Sequence, residues 1–216
     1  MDVPGGSSRR NSASAAAYAR RTRGGSILRR ALFGGTFDPP HVGHLALAQA
    51  AWEQLDVEVV TFLPAGDPWQ KSDDRAITPA IDRCRMLEAA VDGVDHFEVD
   101  RRELQREGPT YTWDTIETFR PDQVVLVLGA DAAAGVDTWY RGEDLISSVP
   151  IVVAHRPGTT RDAVEAVLPG VRWLEMPSLD ISSTELRAWL RRGFSGRFLI
   201  PDAVLDVIAD AGLYRA

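Results

Sequence analysis

Short apolar runs alternate with segments of helical periodicity from residue 31 to the end of the chain. Six of these runs have the length of strands, and several are apolar on both faces, which is typical of strands buried inside a parallel sheet. The predicted strands are Ala31–Phe33, Val57–Leu63, Phe97–Val99, Val124–Leu128, Ile151–Ala154 and Val171–Leu174.

Helical patterns lie between these runs, and two more close the chain. The predicted helices are Leu45–Leu55, Ala80–Val91, Thr112–Phe119, Leu145–Ser148, Asp162–Leu168, Ser183–Arg192 and Asp202–Ala211. Thr78 is expected to cap a helix that has Pro79 at its first position. Gly193 and Gly212 are expected to end the last two helices. The alternation predicts an α/β fold, a single doubly wound parallel sheet followed by a C-terminal helical segment.

Composition agrees with one globular domain. Of the 216 residues, 44% are hydrophobic and 25% are charged, and no stretch approaches the roughly 18 uncharged apolar residues that a membrane helix needs. We therefore expect no contact with a membrane. The single cysteine, Cys84, excludes an intramolecular disulfide and a cysteine-cluster metal site, which fits a reducing cytoplasm.

Charge is unevenly distributed along the chain. The total is −7, but residues 1–30 hold seven arginines and one acid and carry +6, so residues 31–216 carry −13. Such an acidic domain is not typical of nucleic-acid binders, and no nucleic-acid partner is expected. We expect residues 1–29, rich in Arg, Ser and Ala, to form a disordered extension before a domain of residues 30–216. This extension is interpreted as a segment without function, or as a misassigned start; a transit peptide and an Arg-rich contact with an acidic partner are the alternatives.

The segment Gly34-Gly35-Thr36-Phe37-Asp38-Pro39-Pro40-His41-Val42-Gly43-His44 follows the first predicted strand and leads into a helix. Two glycines allow a sharp turn and a close approach to a ligand, while a helix N-terminus favours an anion. His41 and His44 could then donate N–H bonds to one phosphate, with Gly43 leaving room for it. Two exposed histidines or two metal ligands are the alternatives. The glycine signatures of nicotinamide dehydrogenases and of Walker-type ATPases are missing here.

A second helix start near the C-terminus has the same character. Ser182 and Glu185 fit a capping box. Ser183 and Thr184 offer hydroxyls and helix N–H groups to a phosphate, and Arg187 adds a charged donor. The alternative is a plain helix start with Arg187 on a solvated face. Two anion-binding helix starts in one domain suit a ligand with several phosphates.

The chain resembles the nucleotidyltransferases that carry a His-x-Gly-His signature, and more closely the bacterial nicotinate-mononucleotide adenylyltransferases. The segments that carry the resemblance are Gly34–His44, Pro109–Thr115, Leu128–Asp131, Thr138–Tyr140, Arg156–Gly158, Ile181–Arg187 and Gly212–Arg215. The resemblance implies a Rossmann-like nucleotidyltransferase fold. It also implies transfer of the adenylyl group of ATP to nicotinate mononucleotide, which gives nicotinate adenine dinucleotide and pyrophosphate in NAD biosynthesis.

The resemblance also implies roles for single residues. His41 and His44 correspond to catalytic ligands of the ATP phosphates, with His44 nearest the α-phosphate. The residues implied in ATP binding are Gly34, Gly35, Thr36, Phe37, Ile181, Ser183, Thr184 and Arg187. Those implied in mononucleotide binding are Asp38, Lys71, Tyr111, Thr112, Asp131 and Trp139. Trp139 is suited to stack on the pyridine ring, and a buried anchor is its alternative role.

One segment departs from the family. Many members have Pro-Pro-His followed by Lys or Arg after the second strand, where this chain has Pro68-Trp69-Gln70-Lys71. The histidine is missing, but the basic residue is present, and it is the only lysine in the chain. A compact charge on a flexible stem suits a phosphate, so we expect Lys71 to contact the mononucleotide phosphate. A solvated loop lysine is the alternative.

The implied reaction needs no nucleophile from the protein, because the phosphate of the mononucleotide can attack the α-phosphorus in line. Mg²⁺ is expected to arrive with ATP, held mainly by phosphate oxygens and water rather than by a protein metal site. The rival functions are transfer to another acceptor, such as nicotinamide mononucleotide, phosphopantetheine or glycerol phosphate, a non-catalytic nucleotide sensor, and nucleic-acid binding through the extension. The segments Tyr111-Thr112 and Thr138-Trp139 favour the nicotinate acceptor. A homo-oligomer stays an open alternative.

Overall fold

The parallel sheet of this protein is described by a computed structural model that covers residues 27–66, 77–106 and 108–215. Within these residues the sheet has six strands in the order β3-β2-β1-β4-β5-β6, and all neighbours are parallel. The strands are β1 (Arg29–Gly35), β2 (Val59–Pro64), β3 (Phe97–Val99), β4 (Gln123–Gly129), β5 (Ile151–Ala154) and β6 (Arg172–Leu174). The order runs outward from β1 and β4 in both directions, which confirms the predicted doubly wound sheet.

Helices connect these strands and follow the last one. They are α1 (Val42–Gln54), α2 (Ala80–Val91), α3 (Thr112–Glu117), α4 (Ala130–Ala133), α5 (Gly142–Ser148), α6 (Arg161–Glu165), α7 (Ser183–Arg191) and α8 (Asp202–Asp210), with a 3₁₀ helix at Val136–Thr138. Over the described ranges, none of them has the length and apolar character needed to cross a bilayer.

The predicted elements agree with the structure except in a few places. The N-cap of α2 is Pro79 instead of the predicted Thr78, and the Pro79 carbonyl accepts from the N–H groups of Asp82 and Arg83. Gly193 and Gly212, which follow α7 and α8, have φ of +83° and +63°, so both predicted helix ends are confirmed. Helix α4 and the 3₁₀ helix were not predicted, because an alanine-rich turn has no apolar period.

Most of the predicted extension, residues 1–26, lies outside the described residues. The sheet begins at Arg29, and Leu28 before it is 4% exposed, with its N–H donating to Asp122 Oδ1 at 3.0 Å. The division of the chain into an extension and a domain stays a prediction.

Alternation along the strands divides the core between the two faces of the sheet. Phe33 packs with side chains of α1 and α2, while its neighbour Leu32 packs with those of α3 to α6. Both faces of the sheet are therefore covered. A third cluster joins α2 to α7 and α8 through Met86, Leu186 and Val204, so the C-terminal helical segment extends one helical layer.

A buried arginine links the loops at the carboxyl ends of β1 and β2. Arg83 of α2 is 1% exposed and donates to the backbone carbonyls of Thr36 (2.8 Å), Ala65 (2.6 Å), Gly66 (3.1 Å) and Thr78 (2.9 Å). Burial lowers the pKa of this guanidinium. Because the planar fork of an arginine presents several donors in fixed directions, one side chain holds both loops in place.

Replacement of this arginine is expected to cost much stability. Arg83→Met leaves four loop carbonyls without their donor in a buried setting, which should lower the free energy of unfolding by about 3 kcal/mol. Arg85→Met is the matched control on the same helix, because the Arg85 side chain is 53% exposed and only pairs with Asp82 at 3.4 Å. That variant should lose less than about 0.5 kcal/mol in urea unfolding. Similar losses in both variants would contradict the linking role of Arg83.

Candidate active site

A cleft of about 960 Å³ opens at the carboxyl ends of β1 and β4. The connections after these two neighbouring strands lead to opposite faces of the sheet, which is where doubly wound sheets bind ligands. This volume is at the upper end of the roughly 300–1,000 Å³ of small-molecule sites, so the cleft has room for more than one small ligand. All predicted site residues except Lys71 line it, namely Gly34, Gly35, Thr36, Phe37, Asp38, His41, His44, Tyr111, Thr112, Asp131, Trp139, Ile181, Ser183, Thr184 and Arg187. Lys71 lies outside the described residues.

The turn after β1 depends on a glycine and on a strained phenylalanine. Phe37 has φ of +49°, in the left-handed region, and is 1% exposed. Its ring packs against the rings of Phe33 and His44, with centroids 5.4 and 5.0 Å away. A Cβ at Gly35 would lie 3.0 Å from the Phe37 ring, so a larger residue there would push against this ring. Packing of the ring therefore holds an unfavourable backbone conformation in place.

The two histidines of the signature stack on each other. Their ring centroids are 3.7 Å apart, and the His41 N–H donates to His44 Nδ1 at 3.2 Å, so neutral His44 carries its proton on Nε2. A Cβ at Gly43 would lie 3.1 Å from His41 Cε1 and Nδ1. Gly43 thus makes room for the ring of His41, whereas the sequence suggested that it makes room for a bound group.

His41 is buried in the wall of the cleft. The residue is 3% exposed, and both ring nitrogens are buried without a hydrogen-bond partner among the described residues. Burial, assisted by the positive charge of Arg156, lowers the pKa of His41 to about 4, so its ring is neutral at pH 7. Buried polar groups without partners are costly, and such a pair of nitrogens is expected where a ligand completes the site.

Ser182 caps α7 as predicted, but the Glu185 carboxylate bonds to the Ser182 hydroxyl rather than to the backbone N–H as in a capping box. The Ser182 hydroxyl accepts from the Glu185 N–H at 3.2 Å and donates to the Glu185 carboxylate at 2.7 Å. This cap fixes the first turn of the helix, from which Ser183, Thr184 and Arg187 reach the cleft.

The first turns of α1 and α7 face the same loop. Ser183 Oγ donates to the Pro39 carbonyl at 2.9 Å. Arg187 Nη1 donates to the Asp38 carbonyl at 2.6 Å and lies 3.7 Å from Asp38 Oδ2. The structure thus brings together the two helix starts that the sequence singled out.

Asp38 is placed differently from the expectation. Its side chain was expected to bind the mononucleotide, but the residue is 4% exposed. Asp38 Oδ1 accepts from the Tyr214 hydroxyl at 2.5 Å, and Oδ2 accepts from the Thr78 N–H at 3.3 Å. Because both carboxylate oxygens have donors from the protein itself, this placement favours holding the loop over contacting the mononucleotide.

Aromatic side chains form the other end of the cleft. Tyr111 is the N-cap of α3, and its ring lies 4.5 Å from that of Tyr140. Trp139 is half-buried, packs against the core beside α3 to α6 and also lines the cleft. Its position therefore accommodates both expected roles, a core anchor and a stacking surface.

Two charged residues that line the cleft, Glu103 and Arg156, were not named as site residues from the sequence. Glu103 is 9% exposed and accepts from Thr115 Oγ1 at 2.8 Å, and burial raises its pKa. Arg156 pairs with Asp131 at 2.9 Å. Glu103 lies in a stretch of mixed charges that gave no sign of burial, whereas Arg156 belongs to one of the segments that carried the resemblance.

Positive charge is present in the cleft, although the chain as a whole has a net charge of −7. Arg156 and Arg187 line the cleft together with the N-termini of α1 and α7. Within the described ranges, His, Cys, Asp and Glu side chains form no group of three or more that could hold a metal ion.

Comparison with known proteins identifies the family. The cytidylyltransferase-like family model matches residues 32–189. A probable nicotinate-nucleotide adenylyltransferase of Streptomyces coelicolor is 42% identical over 188 residues, which cover 84% of this chain and 98% of the relative. One of Acidothermus cellulolyticus is 39% identical over 201 residues, 88% of this chain and 96% of the relative.

Solved structures agree in fold. The Plasmodium falciparum nicotinic acid mononucleotide adenylyltransferase complexed with NaAD superimposes with a TM-score of 0.71 at 19% identity, over 87% of this chain and 97% of that one. The same enzyme complexed with APC gives a TM-score of 0.70. From the family model and the extent of identity, the chain belongs to the cytidylyltransferase-like family and, within it, to the nicotinate-nucleotide adenylyltransferases.

Proposed function

We propose that the protein transfers the adenylyl group of ATP to nicotinate mononucleotide, producing nicotinate adenine dinucleotide and pyrophosphate for NAD biosynthesis. The observation that carries this proposal is the stacked pair of His41 and His44 at the N-terminus of α1, in which the buried nitrogens of His41 have no partner among the described residues. The relatives align with 84–88% of this chain, and their names support the same reaction.

The phosphates of ATP are proposed to lie between the starts of α1 and α7. His44 would contact the α-phosphate through its Nε2 proton, and His41 would contact the same chain of phosphates. The turn of residues 34–37 and the first turn of α7 would hold the β- and γ-phosphates, with Ile181 beside the adenylate. Arg187 adds a guanidinium, which matches phosphate geometry. Mg²⁺ enters as the Mg-ATP complex, held by phosphate oxygens and water.

The acceptor is proposed to occupy the aromatic end. Trp139 would stack on the pyridine ring, and Tyr111 and Thr112 would bind the ring carboxylate through backbone and hydroxyl groups. Asp131 would lie near the junction of the two nucleotides. Lys71, which lies outside the described residues, is proposed from the sequence alone to bind the mononucleotide phosphate.

In the reaction, a phosphate oxygen of the mononucleotide attacks the α-phosphorus of ATP. A new P–O bond forms as the bond between the α-phosphorus and the bridging oxygen breaks, and pyrophosphate leaves with that bonding pair. No covalent intermediate on the protein is needed. The protein contributes positioning of the two phosphates and stabilisation of charge on the leaving group, which provide most of the rate enhancement in phosphoryl-type transfers.

The protein is proposed to be cytoplasmic. Its cysteine, Cys84, is buried and free, which is consistent with that location. ATP and nicotinate mononucleotide are the proposed partners, without a nucleic acid.

A panel of acceptors tests the function. The protein is incubated with Mg-ATP and, separately, with nicotinate mononucleotide, nicotinamide mononucleotide and phosphopantetheine, and pyrophosphate release is measured. We expect the highest kcat/KM with nicotinate mononucleotide, because the aromatic end with Tyr111, Thr112 and Trp139 suits a flat ring with a carboxylate. Release with another acceptor but none with nicotinate mononucleotide would overturn the proposal.

Loss of the second histidine should abolish most turnover. His44→Ala removes the donor proposed for the α-phosphate, and kcat should fall by about 10²- to 10⁴-fold. The variant should still fold, with a lowered unfolding midpoint, because the His44 ring also accepts from the His41 N–H and packs against Phe37. His96→Ala is the matched control, because His96 stacks on Trp52 at 3.9 Å and is not among the residues that line the cleft. The role assigned to His44 is wrong if its variant turns over at a near-normal rate.

The neutral state of His41 predicts how stability depends on pH. Its pKa is about 4 in the folded protein and about 6.5 when unfolded, so below pH 6.5 the unfolded chain binds a proton that the folded protein does not. Stability should therefore fall as the pH drops from 6.5 to 4. Between pH 7 and pH 5, without nucleotide, the wild type should lose about 2 kcal/mol more than His41→Gln in urea unfolding. Equal losses would show that His41 titrates normally.

A further inference from the structure

The C-terminal segment Gly212–Arg215 contacts the loop that carries the histidine signature. Gly212 and Tyr214 both have positive φ, of +63° and +57°, and they turn the chain back after α8. The Tyr214 ring packs against the cluster of Met86 and Leu186, and its hydroxyl reaches Asp38 Oδ1 at 2.5 Å. Residues 176 positions apart thus meet at the edge of the cleft.

The Asp38 carboxylate has two hydrogen-bond donors and one nearby cation. Besides the Tyr214 hydroxyl, it accepts from the Thr78 N–H at 3.3 Å and lies 3.7 Å from the Arg187 guanidinium. Burial and the negative charge of Asp38 raise the pKa of Tyr214, so its hydroxyl stays protonated and donates. Arg187, the arginine proposed for the ATP phosphates, is therefore the nearest cation to a carboxylate that a tyrosine already satisfies.

We propose that Tyr214 is a positioning residue of the ATP site, and that its hydroxyl satisfies Asp38 so that Arg187 is left available to phosphate. This inference rests on the proposed function only in placing the ATP phosphates beside Arg187. It gives a role to the C-terminal segment, which the sequence singled out without assigning one.

The physical reason is competition for one guanidinium. Asp38 is 4% exposed, so an oxygen that loses its donor is not compensated by water. Without the Tyr214 hydroxyl, the nearest charged donor is Arg187, 3.7 Å from Asp38 Oδ2, whereas the Thr78 side chain, which bonds to the Tyr214 hydroxyl, offers only a neutral donor. A closer pair between Asp38 and Arg187 would direct donors of the guanidinium away from the cleft, and phosphate binding would weaken.

The test is Tyr214→Phe, which removes the hydroxyl and keeps the ring in the cluster. Binding of Mg-ATP and of inorganic tripolyphosphate is measured by calorimetry without an acceptor. We expect both dissociation constants to rise about three- to tenfold, in line with the loss of part of a charged hydrogen bond. The KM for ATP should rise by a similar factor, while the KM for nicotinate mononucleotide should change by less than about twofold.

Two control variants separate positioning from stability. Thr160→Val removes a hydroxyl that caps α6 by accepting from the Ala163 N–H at 3.3 Å, and Arg215→Ala removes a bond to the Ala209 carbonyl at 3.1 Å, next to Tyr214. Both should lower the unfolding midpoint and leave tripolyphosphate binding unchanged. The inference is overturned if Tyr214→Phe binds both probes like the wild type, or if the controls weaken binding equally.

Failure of the proposed function would look different. A wild-type protein that forms no dinucleotide from nicotinate mononucleotide would contradict that function, whereas the tripolyphosphate comparison would still decide the role of Tyr214.

Discussion

Phosphate binding by a backbone turn requires that the carbonyl oxygens of the turn point away from the phosphate or have donors of their own. At the end of β1 and in the loop that leads to α1, four carbonyls meet this requirement with donors from distant parts of the chain. The carbonyl of Gly35 accepts from the Ala65 N–H, and that of Thr36 accepts from Arg83. The carbonyls of residues 38 and 39 accept from Arg187 and Ser183 of α7, respectively.

This arrangement explains why the site needs the whole fold. The donors come from the end of β2, from α2 and from α7, and the C-terminal segment holds the carboxylate of the same loop. Hydrogen bonds from several elements therefore hold this loop in place, although it has little regular secondary structure. The two stacked histidines come directly after this loop. Because the loop is held in place, their rings have a fixed position relative to the N-termini of α1 and α7.

Much of the fold could be predicted from the sequence, because strands buried on both faces form apolar runs that stand out between helical periods. The bounds of β3, β5 and α2 were predicted to the residue. Sequence patterns did not predict contacts between side chains that lie far apart along the chain. Arg83 occupies an apolar face with Met86 and Leu87, which was the one local signal that it is buried. The sequence around Asp38 does not indicate that its carboxylate accepts a hydrogen bond from Tyr214, because that contact depends on the turn after α8.

The ion pair of Asp131 and Arg156 in the cleft makes ligand binding an exchange rather than a simple addition. A lone inorganic anion that takes Arg156 leaves Asp131 without its counter-ion, so part of the attraction is lost at once. A nucleotide brings an anionic phosphate for the arginine and, on the same molecule, sugar hydroxyls that can donate to the carboxylate. If the proposed function holds, this pair favours ligands that can replace both partners together, and the preference is small because both side chains are partly exposed to water.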